Sequence, residues 1–496
     1  MKLKFSIKLF VLLFITSSIA VAQQGIFTSS KDIGKPKLAG SVVYNEGTQT
    51  YTLKGAGANI WGQKDEHHFC FNKISGDFIL TANFKFEGVN EAHRKIGWMV
   101  RSEEDGSSVM CGAFVHGDGL TAMQWRERKG AMMQNPEDEF WAPKLFYDVI
   151  QLERQGKEFI MRAAQIGEPF QEVGRRSIGF MPDNVLAGLV ICSHDENIVE
   201  TAYAWNVRID HPAKDKFRPG CRLETMNVFD GVRKVIHEDK SFEAPNWMPD
   251  GKKLLINMGG SLYTIPVEGG ELQKINTGSA TRNNNDHCIS FDGKMLGISN
   301  DQGGSKVYVL PIGGGEPQLV TEQAPSYLHG WAPNNKEVVY VAQRNKVPVY
   351  DIYRKNIKGG PEVKLTENKK NEHVDGCEYS PDGKYIYYNG SVNGGTMQIW
   401  RMKPDGSGKE QLTFDEYNNW FPHISPDGKW MAFISFPHDI ELNSHPANQR
   451  VMLRLMPVSG GAPRVIAWLY GGQGTFNVNS WSPDSKSISF VSNGVL

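Results

Sequence analysis

The chain has 496 residues and a formal net charge of −1, with 54 Lys and Arg set against 55 Asp and Glu. The charges are interspersed, which argues against a nucleic-acid or anionic-membrane partner. Six cysteines lie far apart at Cys70, Cys111, Cys192, Cys221, Cys288 and Cys377 with no spacing pattern, so free buried thiols are expected.

The first element in chain order is a secretory signal over residues 1–22. Lys2, Lys4 and Lys8 form its basic region, Leu9 to Ile19 its short apolar stretch, and Ala20-Val21-Ala22 an A-x-A site with cleavage before Gln23. The mature chain is therefore expected to be periplasmic or secreted. No later window is long and apolar enough for a membrane helix, so no membrane span is expected there.

Residues 25–210 carry no repeat and are rich in strand signals. Expected strands are Thr50–Leu53, Phe78–Phe86, Gly97–Arg101, Val109–His116, Thr121–Arg126, Tyr147–Gln155, Glu158–Ala164, Val185–Cys192 and Thr201–Ile209. Trp98 alternates with Ile96 and Val100, which marks a buried face. Trp61, Trp98, Trp125 and Trp141 are candidate sugar-stacking platforms, Trp98 set against that buried-face reading, with Arg101, His116, Gln124 and Arg126 as polar neighbours on strands. The phrases GAGANIWG, SGDFILTANF and KIGWMVRS resemble concanavalin-like jelly-roll modules of bacterial carbohydrate-active proteins. Residues 211–219, with two prolines and mixed charge, read as a linker, and the segments on either side as separable domains.

Residues 220–496 are organised by a phrase that returns six times: NWMPDGK from Asn246, HCISFDGK from His287, GWAPNNK from Gly330, EYSPDGK (from Glu378), HISPDGK from His423 and SWSPDSK from Ser480. The aligned Asp or Asn recurs every 42 to 57 residues, the period of a propeller or array. Pro-Asp-Gly is a tight turn, with Pro presetting φ and Gly accepting a positive φ. Apolar strands follow each turn, such as Met295–Ile298, Val338–Val341 and Tyr385–Tyr388, and two more strands complete each unit. Four short strands make one antiparallel blade. The last repeat has only two strands, and Arg222–Val228 with Arg233–His237 supplies a match for the missing pair. The expected fold is therefore all-β: a jelly-roll sandwich, then a six-bladed propeller closed by its own N- and C-terminal strands. The S-P-D-G-K repeats resemble the TolB-type propeller, a WD-like architecture that hosts both binding proteins and enzymes.

The residues ahead of each first strand should gather at one mouth of the central channel. They deliver His287, His329, His373 and His423, together with Asn285, Asp286, Tyr327, Glu372, Asp375 and Trp420. Such a ring can line a channel as ordinary polar residues. It can also hold a divalent metal (Ca, Mn or Zn) or supply acid and base groups. An insertion between Phe436 and Val451 adds His438, His445 and Arg450 to the same face, and the glycine-rich loop before Asn477 adds Gln473.

Two functional classes follow. TolB-like propellers engage periplasmic protein partners, and a sandwich of this kind would add glycan or oligosaccharide recognition. The pairing also resembles, at a distance, oligogalacturonate lyases, which implies a metal held by histidines and a base that removes a proton beside a uronate. On that resemblance the four histidines are both the metal ligands and the catalytic candidates. There is no G-x-S-x-G, no Walker loop, no Rossmann glycine triplet and no haem-attachment motif, which disfavours nucleotide, flavin and serine-hydrolase chemistry.

Overall fold

The computed structural model describes residues 24–344, 349–441 and 443–496. The signal-sequence expectation falls on residues outside that range. Among the described residues there is no helix, so none is long and apolar enough to cross a membrane.

Residues 29–210 form two seven-stranded antiparallel sheets. Trp98, Leu80, Leu152, Phe159 and Leu189 fill the space between them and are fully buried. All nine strands expected here are present. Five others carry too little alternation to announce themselves: Ser29–Ile33, Ser41–Asn45, His67–Ile74, Glu139–Trp141 and Gln171–Ser177. Trp125 is buried in the core and does not offer a face to solvent. Arg101 and Arg126 are likewise buried, both within ion-pair reach of a buried Asp65. These three residues hold strands together and are not part of a ligand surface.

Five four-stranded sheets follow, and a sixth consists of Arg233–Asp239, Gly220–Asn227 and Ser487–Val495. In that sixth sheet Leu223 lies opposite Val491 and Met226 opposite Ile488. Trp481 bridges to Ile488 and provides its innermost edge.

The repeat phrase does its work locally. The Ser425 hydroxyl donates to Asp427 Oδ1 at 2.6 Å, and the same carboxylate accepts the Lys429 backbone N–H at 3.1 Å. Ser290–Asp292, Ser380–Asp382 and Ser482–Asp484 repeat the first contact. The turn's last residue needs a left-handed backbone, met by Gly428 at φ 71°, while Asn335 at 56° and Ser485 at 62° replace it in the divergent repeats.

The two halves are not joined by a free tether. Residues 214–218 are exposed, but on either side the chain is packed. Glu224, fully buried, receives Arg208 from the sandwich and Arg233 from the sixth sheet, each at 2.6 Å. Val149 and Ala164 of one half pack with Met452, Val465 and Trp468 of the other. The expectation that a cut at 211–219 would release two separate pieces is therefore revised: the fragments should remain associated.

Candidate functional site

Each first strand of a blade carries a register shift in its middle: between Asn283 and His287, Leu328 and Gly330, Asp375 and Glu378, and Trp420 and His423. An extra residue in one strand turns the chain and re-aims the side chains beyond it. Here the residues within or just upstream of the shifts face a cavity of about 370 Å³ at one end of the channel. The cavity wall includes Asn284, Asn285, Asp286, Tyr327, His329, His373 and Asp375. The inserted loop contributes Asn443 and His445, and the glycine-rich loop Gln473 and Asn477.

Nine expected site residues meet there: Asn285, Asp286, Tyr327, His329, His373, Asp375, His445, Gln473 and Asn477, while Glu372 stays outside. Five others do not line the cavity. His287 is buried, with Nδ1 at 2.7 Å from Asn246 Oδ1, and burial lowers its pKa to about 4. His423 has both ring nitrogens engaged, Nδ1 with Glu378 Oε2 at 2.7 Å and Nε2 with the Phe476 carbonyl at 3.1 Å. Trp420 is fully buried behind the wall, its ring 4.4 Å from that of His445 and 5.8 Å from that of His373. His438 is exposed outside the cavity. Arg450 turns away to ion-pair with the buried Glu153 of the sandwich half.

The four histidines therefore form no ring. His287 and His329 stand three residues ahead of Ser290 and Ala332, but His423 stands two ahead of Ser425 and His373 seven ahead of Ser380. Placed at different points relative to the bulge, they face different ways. Among the described residues no group of three or more His, Cys, Asp or Glu is arranged to hold a metal ion. The four-histidine metal set is thus withdrawn, and with it the ligand set that a metal-assisted lyase would need.

What the cavity does hold is an acid–base cluster. His329 Nε2 lies 2.7 Å from Asp375 Oδ1, and His445 Nε2 lies 3.7 Å from Asp375 Oδ2. The His329 N–H does not aim along that short approach, so the contact is one of charge more than of an aligned hydrogen bond. Burial disfavours the Asp375 carboxylate, but His329 and His445 outweigh it and hold its pKa well below the ordinary value. Burial likewise opposes charge on His329, and Asp375 outweighs it and raises the imidazole. Asp286 behaves oppositely. Burial first, and Asp375 beside it, push its carboxyl up to about 7 against the pull of His329. Two carboxyls in one cavity are thus driven to opposite protonation states, which is how an acid and a base can coexist near neutral pH. Asp286 is among the residues expected at the mouth; Asp301, Tyr350 and Phe421 are not. The Asn-Asn-Asn-Asp run at 283–286 was the available signal for Asp286; the other three come from positions that no repeat marks.

The Asp286 shift carries a stability consequence. Its folded value lies above the ordinary 3.8, so the unfolded chain loses this proton first as pH rises. Stability is full below about pH 4 and falls as pH climbs towards 7, by a few kcal/mol at about 1.4 kcal/mol per pKa unit. Asp286→Asn should therefore melt higher than the parent at pH 7.5 and equally at pH 4. A lower melting temperature at pH 7.5 would show that the carboxyl is ionised and partnered.

No family model matches the chain. An uncharacterised protein of Agrobacterium fabrum is 44% identical over 273 residues, which span 54% of this chain and 91% of the relative. The solved structure of a TolB-type protein from Agrobacterium tumefaciens is 41% identical, aligns over 56% of this chain and all of its own, and has a TM-score of 0.53. The chain belongs to the TolB-like propeller proteins. A Tol-Pal system protein TolB from Francisella tularensis is a more remote relative of this TolB-like chain, 23% identical over 221 residues that span 42% of this chain and 50% of the relative.

Proposed function

We propose that the propeller cavity binds a saccharide in an exported TolB-like protein. The observation that carries this is the chemistry of the wall: five side-chain amides (Asn284, Asn285, Asn443, Gln473 and Asn477) beside Tyr327, Tyr350 and Phe421. A sugar hydroxyl both donates and accepts, and each amide presents both roles on one plane. Aromatic rings suit the C–H faces of a pyranose. Several of these amides are fixed in place: Asn284 Nδ2 donates to Asp301 at 3.1 Å and Asn477 Nδ2 to Gln473 at 3.0 Å, so little ordering remains for the ligand to impose. At about 370 Å³ the cavity falls in the range of small-ligand sites.

The jelly-roll reading of the first half and the signal sequence support the same picture of a periplasmic or secreted glycan binder. The TolB relatives support a second reading, in which a periplasmic protein partner docks on the propeller. If chemistry accompanies saccharide binding, Asp286 and Asp375 are the groups placed for it, as acid and base.

Calorimetry with a panel of neutral and uronate oligosaccharides tests the proposal. Asn285→Ala and Asn477→Ala should each weaken binding about tenfold, the effect of one lost hydrogen bond of roughly 1.4 kcal/mol. A bound sugar at a hundred times its Kd should also stabilise the parent by about 2.7 kcal/mol. A panel that neither binds nor raises the melting temperature would leave the protein-partner reading in its place.

A further inference from the structure

A second cleft, of about 510 Å³, lies on the first half, outside the propeller. Its two aromatic residues are Trp61, half-buried on a short hairpin, and Trp141, 56% exposed at the end of the edge strand Glu139–Trp141. Also lining it is His116, only 5% exposed, and neither of its ring nitrogens has a partner. A buried imidazole left this way costs about 1–3 kcal/mol and calls for an explanation. Nothing in the propeller site uses it.

We propose that this cleft is a second saccharide site, built for a neutral pyranose ring stacked on Trp141 or Trp61 with a hydroxyl bonded to His116. Burial above all, then Lys95 and the neighbouring His93 and His194, lower the His116 pKa well below its ordinary value, so the ring is neutral. A neutral imidazole offers one donor and one acceptor on diverging edges of the ring, and a sugar hydroxyl, itself donor and acceptor, can answer the one that faces the cleft. Glu139 is buried at the cleft, takes a hydrogen bond from Gln124 Nε2 at 3.1 Å and another from Asn135, and keeps lone pairs for a further hydroxyl.

The charge class follows from Lys95. Its ammonium donates to the Ile60 carbonyl at 2.8 Å, Gln124 Oε1 at 3.0 Å and Asn59 Oδ1 at 3.2 Å. All three protons are spent, so none is left for a uronate carboxylate, and Glu139 offsets the charge. A neutral sugar is therefore preferred over an acidic one. This site stands on residues separate from the propeller cavity and does not depend on that cavity binding anything.

The test is tryptophan fluorescence and calorimetry on the full chain, with cellohexaose, maltohexaose, xylohexaose, mannohexaose and trigalacturonate as probes. At least one neutral probe should bind and perturb the emission. Trp141→Ala, at an exposed position that leaves the fold intact, should weaken that binding at least tenfold, and so should His116→Phe. Binding that survives both Trp141→Ala and His116→Phe belongs to the propeller and overturns the second site. A chain that binds none of the neutral probes, or prefers trigalacturonate, overturns it as well.

Discussion

Deletion of residues 476–496 should abolish folding of the propeller. The segment includes Phe476, Val478, Trp481, Ile488, Phe490 and Val491, all buried. At about 1.5–3 kcal/mol for each such side chain, the loss is on the scale of a whole domain's stability, roughly 5–15 kcal/mol. It also strips Ser487–Val495 from Gly220–Asn227 and leaves that strand with an unpaired edge, a template for association with other chains. In the adjoining first four-stranded blade, Asn246 Nδ2 loses the Asn479 carbonyl it binds at 2.7 Å. The expected product is insoluble or lacks a cooperative transition by circular dichroism. A soluble truncation melting like the parent would mean that the sixth sheet is dispensable.

The second large effect belongs to Glu224. Its carboxylate sits between Arg208 and Arg233, with the Ser492 hydroxyl as a further donor, so one buried charge ties the sandwich and all three strands of the sixth sheet together. Burial disfavours the charge, but Arg208 and Arg233 outweigh it and hold the pKa far below 4.5. Glu224→Ala leaves two buried guanidinium groups without their counter-ion, a loss of about 3–5 kcal/mol. Melting should fall by several degrees, and protease should then cut at 214–218 and separate halves that stay together in the parent. The sign of the pH dependence is fixed too. A folded value depressed below the ordinary one gives stability that is present above about pH 4.5 and lost only in strong acid. The advantage of the parent over Glu224→Ala should therefore be full near pH 7 and narrow as pH falls below about 4.5. A variant that melts with the parent would show that the triad contributes nothing net.

The sequence by itself determined the propeller, because its signal is local. A Pro-Asp-Gly type of turn is satisfied within a few residues, by hydrogen bonds such as Ser425 to Asp427 and by the left-handed backbone of Gly428, so it or a close variant is written at every repeat. Strands with clear alternation, such as Phe78–Phe86, were legible for the same reason, whereas His67–Ile74, with adjacent histidines and a polar end, was not. The site was only half legible. Counting from the turn puts four histidines at one mouth, but side chains alternate in strict period two only until a bulge intervenes. Each first strand bulges before it reaches the cavity, so Asp286 and His329 enter it while His287 and His423 are drawn between blades to Asn246 and Glu378. The opposite protonation of Asp286 and Asp375, the diversion of Arg450 to Glu153, and the meeting of Trp61 with Trp141 around His116 all join residues far apart in the chain. Only the tertiary structure decided them, because burial and long-range charge are properties of packed neighbours and no local pattern encodes them.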